Sequence, residues 1–192
     1  MSITDLAPPP FVAIETPRLR LRHFDAGDLA TLVAYRNDPD VARYQSWTSF
    51  TAEAAQAFIA EMRMAQPGIA GTWFQFAIER REASNPGLHI GDCALHTLAD
   101  DARLGEIGYT LSTAHQGQGY AREAVSAMLD HAFNSLHMHR ITASVDTQNA
   151  PSIALLERLH FRREGHFIQC GWYNGGWCDE YLYAMLRTGW KA

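Results

Sequence analysis

The sequence Gln116-Gly117-Gln118-Gly119-Tyr120-Ala121 decides how this chain of 192 residues folds. It follows a predicted strand and opens the longest predicted helix. The two glycines allow positive φ angles and let a ligand approach the backbone closely. Because the first turn of a helix has unbonded N–H groups and a partial positive charge, the loop predicts an anion site suited to a phosphate or pyrophosphate.

The helix that follows this loop has the clearest periodicity in the chain. Apolar residues recur at helical spacing from Ala121 to Leu136 and form one continuous face. Predicted strands flank the helix at 104–112 and 140–145. A strand, a helix and a second strand make a right-handed crossover, so we expect these two strands to be parallel neighbours.

Further elements extend this unit in both directions. Asp25 and Thr51 are expected to cap two early helices, and an Asn174-Gly175-Gly176 turn is expected to join the last two strands. The other predicted strands are 18–22, 73–79, 89–98, 161–170 and 177–186, and the other predicted helices are 26–36, 52–65 and 152–159. This order predicts one α/β (α+β) domain with a mixed sheet over residues 11–188, preceded by an extended lead-in at 1–10.

Composition narrows the class of protein. Hydrophobic residues make up 47% of the chain and charged residues 19%, which excludes wholesale disorder. The net charge of −5 argues against nucleic acid or an anionic membrane as a partner, and no apolar run approaches the ~20 residues of a membrane span. Three cysteines without CxxC spacing argue against a disulfide framework or a zinc site, and we expect no bound metal. Since the N-terminus lacks a secretion signal, the expected location is the cytoplasm.

Three kinds of phosphate-binding loop compete at residues 116–121. A Walker loop needs Gly-Lys-Ser/Thr after its first glycine, and the chain has none there. A dinucleotide fingerprint needs a third small residue where Arg122 stands. The third pattern, Q-x-x-G-x-A, matches Gln116 to Ala121 and is the pyrophosphate loop of acyl-CoA acetyltransferases. A glycine-rich turn that binds nothing is the remaining alternative.

With this loop and the segments around it, the chain resembles the GNAT superfamily of N-acetyltransferases, and within it the ribosomal-protein-alanine (Rim-type) branch. Four stretches match in order and together cover nearly the whole chain: Glu15 to Arg22, Glu106 to Leu111, Gln116 to Ala124, and Asn149 to Phe161. The resemblance implies a single domain with a central mixed, mostly antiparallel sheet. That sheet would be splayed between the family's fourth and fifth strands and flanked by about four helices.

The family binds acetyl-CoA in the gap between those two strands. The resemblance implies main-chain contacts to pantetheine and the acetyl group at Tyr109, Thr110 and Leu111, where unpaired N–H groups could polarise a thioester carbonyl. Leu111 could also be a core residue. Asn149 could bind the cofactor by its amide or simply form a turn. The resemblance also implies cofactor contacts from Gln116, Gly117, Gln118, Gly119, Tyr120, Ala121 and Arg122.

The sequence departs from the family at two positions. His160 stands where the family usually has glycine, at an expected helix C-terminus where a left-handed conformation costs histidine more than glycine. Leu156 stands where many members have the tyrosine that protonates the departing thiol. By resemblance to Rim-type relatives, Ser152 is the substitute acid, although it could equally be only the N-cap of its helix.

Glu106 is the candidate general base, since the resemblance puts it on the strand that faces the gap. Partial burial would raise its pKa toward useful values. The alternative is a surface glutamate paired with a neighbouring arginine. The amine must attack unprotonated, and an α-amine (pKa ~7.7–8.0) is neutral at pH 7 several hundred-fold more often than a lysine (pKa ~10.4).

The acceptor side is expected near the first two helices and the final hairpin. Candidate lining aromatic residues are Tyr44, Trp47, Trp172, Tyr173 and Trp177, which could instead be core residues or a homodimer contact. Candidate acidic residues that would attract a cationic acceptor are Asp38, Asp40, Asp179 and Glu180, which could instead be a solvated cluster.

The function these observations favour is transfer of an acetyl group from acetyl-CoA to a primary amine, by direct attack in a ternary complex. By resemblance the acceptor is a protein N-terminal amine, such as that of a ribosomal protein. The alternatives are a small-molecule amine of the aminoglycoside type, a non-catalytic acyl-CoA-binding sensor, and a nucleotide-binding protein that uses the same loop.

Overall fold

The computed structural model describes residues 10–45, 47, 49–81, 87–173 and 175–191. Its centre is an eight-stranded sheet in the order β1-β2-β3-β4-β5-β6-β8-β7. The strands are β1 Ile14–Glu15, β2 Leu19–Arg22, β3 Trp73–Arg80, β4 Leu88–Thr97, β5 Leu104–Leu111, β6 Arg140–Asp146, β7 Arg162–Tyr173 and β8 Gly176–Leu186. Every pair is antiparallel except β5 and β6, which are parallel as predicted.

Helices cover both faces of the sheet. They are α1 Leu29–Arg36, α2 Pro39–Ala42, α3 Ala52–Met64, α4 Tyr120–Asp130 and α5 Ala150–Arg158. Side chains alternate along β3, so Phe74 and Phe76 pack in one core with α4 and α5, while Ala77 packs in the other with α1 and α3. The sheet is therefore the middle layer of three, and α4 and α5 lie on the same face.

The parallel pair separates soon after it forms. β5 and β6 share only three register pairs, of which the last joins Glu106 to Thr142. Beyond it β5 stays paired with β4 as far as Leu111, and β6 stays paired with β8 as far as Asp146. This confirms the predicted gap between the family's fourth and fifth strands. Those two strands are numbered β5 and β6 here, because the structure has an additional two-residue strand, β1, that was not predicted.

Several predicted boundaries differ from those in the structure. The helix predicted at 152–159 begins at Ala150 with Asn149 as its N-cap, so the prediction that Ser152 could be the cap is wrong. The helix predicted to be the longest is α-helical only to Asp130 and continues as a π turn over His131–Ser135, so the longest α-helix is α3. The short α2 was not predicted. The lead-in up to residue 9 and Asn174 lie outside the described residues.

Helix α5 ends in a left-handed residue, as predicted. His160 has a φ of 64°. Its N–H donates to the Glu157 carbonyl, and the Phe161 N–H donates to the Leu156 carbonyl, each at 3.0 Å. These two bonds form the Schellman motif that glycine favours at this position.

We expect His160→Gly to raise the free energy of unfolding by about 0.5–1 kcal/mol, because glycine adopts this conformation without Cβ strain. Urea denaturation would measure the change. The matched control is Arg158→Gly in the last turn of α5, which should lower the free energy of unfolding by a similar amount, since its backbone is helical. An unchanged or lower stability of His160→Gly would contradict the strain argument.

In the part of the chain that the structure describes, every helix is too short or too polar to span a lipid bilayer.

Candidate active site

The loop between β5 and α4 has the open backbone that the sequence predicts. Gly117 and Gly119 have φ angles of 73° and 81°. A Cβ at Gly117 would meet no atom within 4 Å, so the loop borders open space. Gly119 is the N-cap of α4, and no side chain caps the helix there. Helix α4 thus begins beside an open loop and without a side-chain cap, as an anion site requires.

Contacts from two sides hold this loop in place. The Gln116 side-chain amide donates to the Leu111 carbonyl at 3.0 Å and so ties the loop to the end of β5. Arg18 donates from Nη1 to the Gln118 carbonyl at 3.0 Å, and its guanidinium lies 4.6 Å from the centre of the Tyr120 ring. The loop is therefore held by Gln116 at the end of β5 and by Arg18, the residue before β2.

Glu123 joins the same loop to the N-terminal strands. Its carboxylate accepts bonds from the Thr16 hydroxyl and from the Arg18 main chain and guanidinium, at 2.6 to 2.8 Å. Burial by itself raises the Glu123 pKa, but these bonds outweigh it and leave the pKa below its usual value. The carboxylate is ionised at neutral pH and favourably placed in the first turn of α4.

Glu106 lies where β5 and β6 separate. It is half-buried, and its cross-strand neighbour in β4 is His96. Burial raises the pKa of its carboxyl, the charge of His96 opposes that rise, and the Glu180 carboxylate adds to it. No ion pair among the described residues joins Glu106 to an arginine. Its surroundings thus differ from those of a paired surface glutamate.

Two hydroxyl groups meet across the gap. Tyr109 lies in β5 beyond the point of separation, and its hydroxyl is 2.6 Å from Ser152 Oγ in the first turn of α5. Asn149 caps α5 by accepting the Ser152 N–H at its side-chain oxygen, over 3.3 Å. Asn149 is therefore a helix cap, and its amide nitrogen takes no part in that cap. The Ser152 hydroxyl is likewise not used for capping.

The segment after α1 covers the end of β5. Asp38 caps α2 and also accepts a bond from the Thr113 hydroxyl at 2.8 Å. The Gln45 amide reaches the Thr110 hydroxyl at 3.5 Å, and the Tyr44 hydroxyl donates to the Gln148 carbonyl at 3.2 Å. This segment therefore places Tyr44 and Asp38 near the mouth of the gap. Gln45 and Gln148 were missed, because no sequence pattern marks them.

The other acceptor candidates are dispersed. Trp47 packs over Arg36, with the guanidinium 4.7 Å from its ring centre. Trp172 and Trp177 pack on each other near the tip of the β7–β8 hairpin, where both are more than half exposed. Asp179 binds the Gln169 N–H. The Tyr173 side chain lies outside the described part of the structure, and Asp40 lies in α2.

Thr110 and Leu111 complete β5 on the side of the gap and are both buried. Leu111 belongs to the main core, so its side chain is a core residue, while its main chain lies beside the gap. Among the described residues, no group of three or more His, Cys, Asp or Glu side chains is placed to hold a metal ion.

Comparison with protein families and sequences identifies relatives of this chain. The family described as "Acetyltransferase (GNAT) domain" matches residues 18–162. The uncharacterized N-acetyltransferase p20 of Bacillus licheniformis is 34% identical over 90% of this chain and 94% of its own. Two characterised activities appear among partial matches. The [ribosomal protein uS5]-alanine N-acetyltransferase of Escherichia coli is 33% identical over 44% of this chain and 43% of its own, and the spermidine N(1)-acetyltransferase of Vibrio cholerae is 32% identical over 45% and 50%.

Solved structures give the same result. A GNAT-family acetyltransferase from Bacillus anthracis is similar to this chain with a TM-score of 0.79, at 29% identity over 92% of this chain and 99% of its own. RimJ from Mycobacterium smegmatis, solved in complex with CoA-disulfide, has a TM-score of 0.75 at 25% identity over 88% and 81%.

Proposed function

The chain belongs to the GNAT family of acetyltransferases, and from that premise we propose that it transfers an acetyl group from acetyl-CoA to the N-terminal amine of a protein of the ribosomal type. The observation that carries this proposal is the position of Glu106, half-buried where β5 and β6 part. A weak base in that place suits an amine that is already partly neutral at pH 7.

The loop and the gap would bind the two ends of acetyl-CoA. The first turn of α4 lacks a side-chain cap and follows Gly117 and Gly119, and it fits a pyrophosphate because the space beside Gly117 is open. Beyond Glu106, β5 is paired on one side only, so the alternate main-chain N–H groups of the segment from Tyr109 to Leu111 that point away from β4 would bind pantetheine and the thioester carbonyl. Arg122 and the Asn149 amide would complete the cofactor contacts.

The chemistry is direct attack of the amine on the thioester. Glu106 would take a proton from the amine, directly or through water, and Ser152 would give one to the departing sulfur. A covalent intermediate on Cys93 is unsupported, since Cys93 is fully buried and burial raises the pKa of its thiol well above the usual value. The amine, the thioester and the two residues would therefore react in one ternary complex.

A second candidate acceptor is a small polycationic amine. The Glu180 carboxylate is close enough to Glu106 to raise its pKa, and Asp38 lies near the mouth of the gap. Such acidic groups attract cationic amines in general. A partial relative acts on spermidine, which is the same chemical class.

An acceptor panel tests the proposal. We would measure acetyl transfer at pH 7 to short peptides with a free N-terminal alanine or serine, to the same peptides with a blocked N-terminus and an internal lysine, to spermidine and to an aminoglycoside. The α-amine peptides should exceed the lysine peptides by at least about 100-fold in kcat/KM, because a lysine is so seldom neutral. Transfer to spermidine or the aminoglycoside alone would select the second candidate. Tight CoA binding without transfer to any amine would favour the sensor alternative and overturn both.

A further inference from the structure

The Tyr109–Ser152 pair links the two sides of the gap. β5 carries Tyr109, whereas α5, which follows β6, carries Ser152. The two hydroxyl oxygens are 2.6 Å apart, and either could be the donor. The Tyr109 hydroxyl also lies 3.3 Å from the Ser152 carbonyl, which only accepts. These contacts fix the phenol against the first turn of α5.

The phenol of Tyr109 has a proton to give in this pair. Burial raises the pKa of Tyr109 to about 12, and the Ser152 bond only partly opposes that shift. Tyr109 is thus protonated at neutral pH. When it donates to Ser152 Oγ, the serine hydrogen is free to point elsewhere, and a bond accepted at Oγ strengthens the serine as a donor.

The family's usual tyrosine acid is absent, since Leu156 occupies that position and is fully buried. The neighbouring phenol of Tyr183 is bonded to Glu157 at 3.1 Å instead. Tyr109 therefore brings a phenol to Ser152 from the opposite side of the gap.

We propose that Tyr109 is a positioning residue that donates to Ser152 Oγ and thereby directs the serine proton onto the departing thiolate of CoA. This inference rests on the proposed function. As the amine nitrogen bonds to the carbonyl carbon, the C–S bond breaks and its electron pair goes to sulfur. Sulfur takes the Ser152 proton, Ser152 takes the Tyr109 proton, and water returns a proton to the phenolate. Glu106 holds the proton lost by the amine and releases it to water, so the protons balance.

The test uses the product, CoA, and needs no acceptor. We would titrate enzyme-bound CoA with pH and follow the ultraviolet absorbance of its thiolate, with the desulfo-CoA complex as the blank. A donor aimed at sulfur stabilises the thiolate and lowers the thiol pKa. We expect the bound thiol pKa to rise by roughly one unit in Ser152→Ala and by about half a unit or more in Tyr109→Phe.

The matched control is Tyr183→Phe, which removes a neighbouring buried phenol that bonds to Glu157 rather than to Ser152. It should leave the bound thiol pKa unchanged. In the Ser152→Ala background, Tyr109→Phe should add nothing, because the phenol acts only through the serine. An unchanged pKa in Tyr109→Phe, or an equal shift in Tyr183→Phe, would overturn the relay while the proposed function stands. Failure of the parent protein to bind CoA would overturn the proposed function itself.

Discussion

Gly117→Asp is expected to weaken CoA binding roughly 30-fold relative to Gly117→Asn. Both substituents fit, because a Cβ at this position meets no atom within 4 Å and because Asn and Asp tolerate the positive φ of 73°. The two side chains are nearly equal in size and differ in charge. A carboxylate placed about 5 Å from a pyrophosphate costs roughly 2 kcal/mol at an effective dielectric between those of protein and water.

Calorimetric titration with CoA measures this difference, and a neutral ligand provides the control. S-acetylpantetheine lacks the pyrophosphate, so the aspartate and asparagine variants should bind it equally. The excess loss in Gly117→Asp should shrink at high salt, because the repulsion is screened. Equal Kd values of the two variants for CoA would show that no anion binds at this loop, and the cofactor site would have to lie elsewhere.

Glu106→Gln is expected to lower the rate of acetyl transfer by about 100-fold or more, with little change in acetyl-CoA affinity, because it removes the proposed base and no cofactor contact. The rate below pH 7 should also lose its dependence on the Glu106 ionisation. The comparison variant is Glu180→Gln. The Glu180 charge raises the Glu106 pKa, so its removal should move the acidic limb of the parent's pH–rate profile to lower pH. An unaltered pH–rate profile in Glu106→Gln would exclude Glu106 from the mechanism.

The same substitution should stabilise the fold at neutral pH. The Glu106 carboxyl has a higher pKa in the folded state than in the unfolded chain, so the folded state loses stability as pH rises from the ordinary glutamate range through the raised value. Glutamine has no charge to desolvate. The free energy of unfolding of Glu106→Gln should therefore exceed the parent's at pH 7, and the two should converge at about pH 3.

Most of the helices and strands could be predicted because their signals are local. The alternation along β2 and the helical spacing in α4 each follow from one buried face, and Thr51 caps α3 as expected. The error at α5 has a physical cause. Asn149 and Ser152 are both good capping residues, and with Asn149 as the N-cap Pro151 falls in the first turn, where its missing N–H costs no intrahelical bond.

The sequence alone determined the crossover around α4, the open loop at Gly117 and Gly119, and the left-handed end of α5 at His160. Each depends on residues close together in the chain, where backbone conformation and period decide the result. Only the tertiary structure decided that Glu106 lies where β5 leaves β6, beside His96 and Glu180, and that the Tyr109 hydroxyl reaches Ser152. These contacts join residues that are far apart in sequence. Their distances and pKa shifts depend on where the sheet splays and on which groups it buries. No local sequence pattern contains that information.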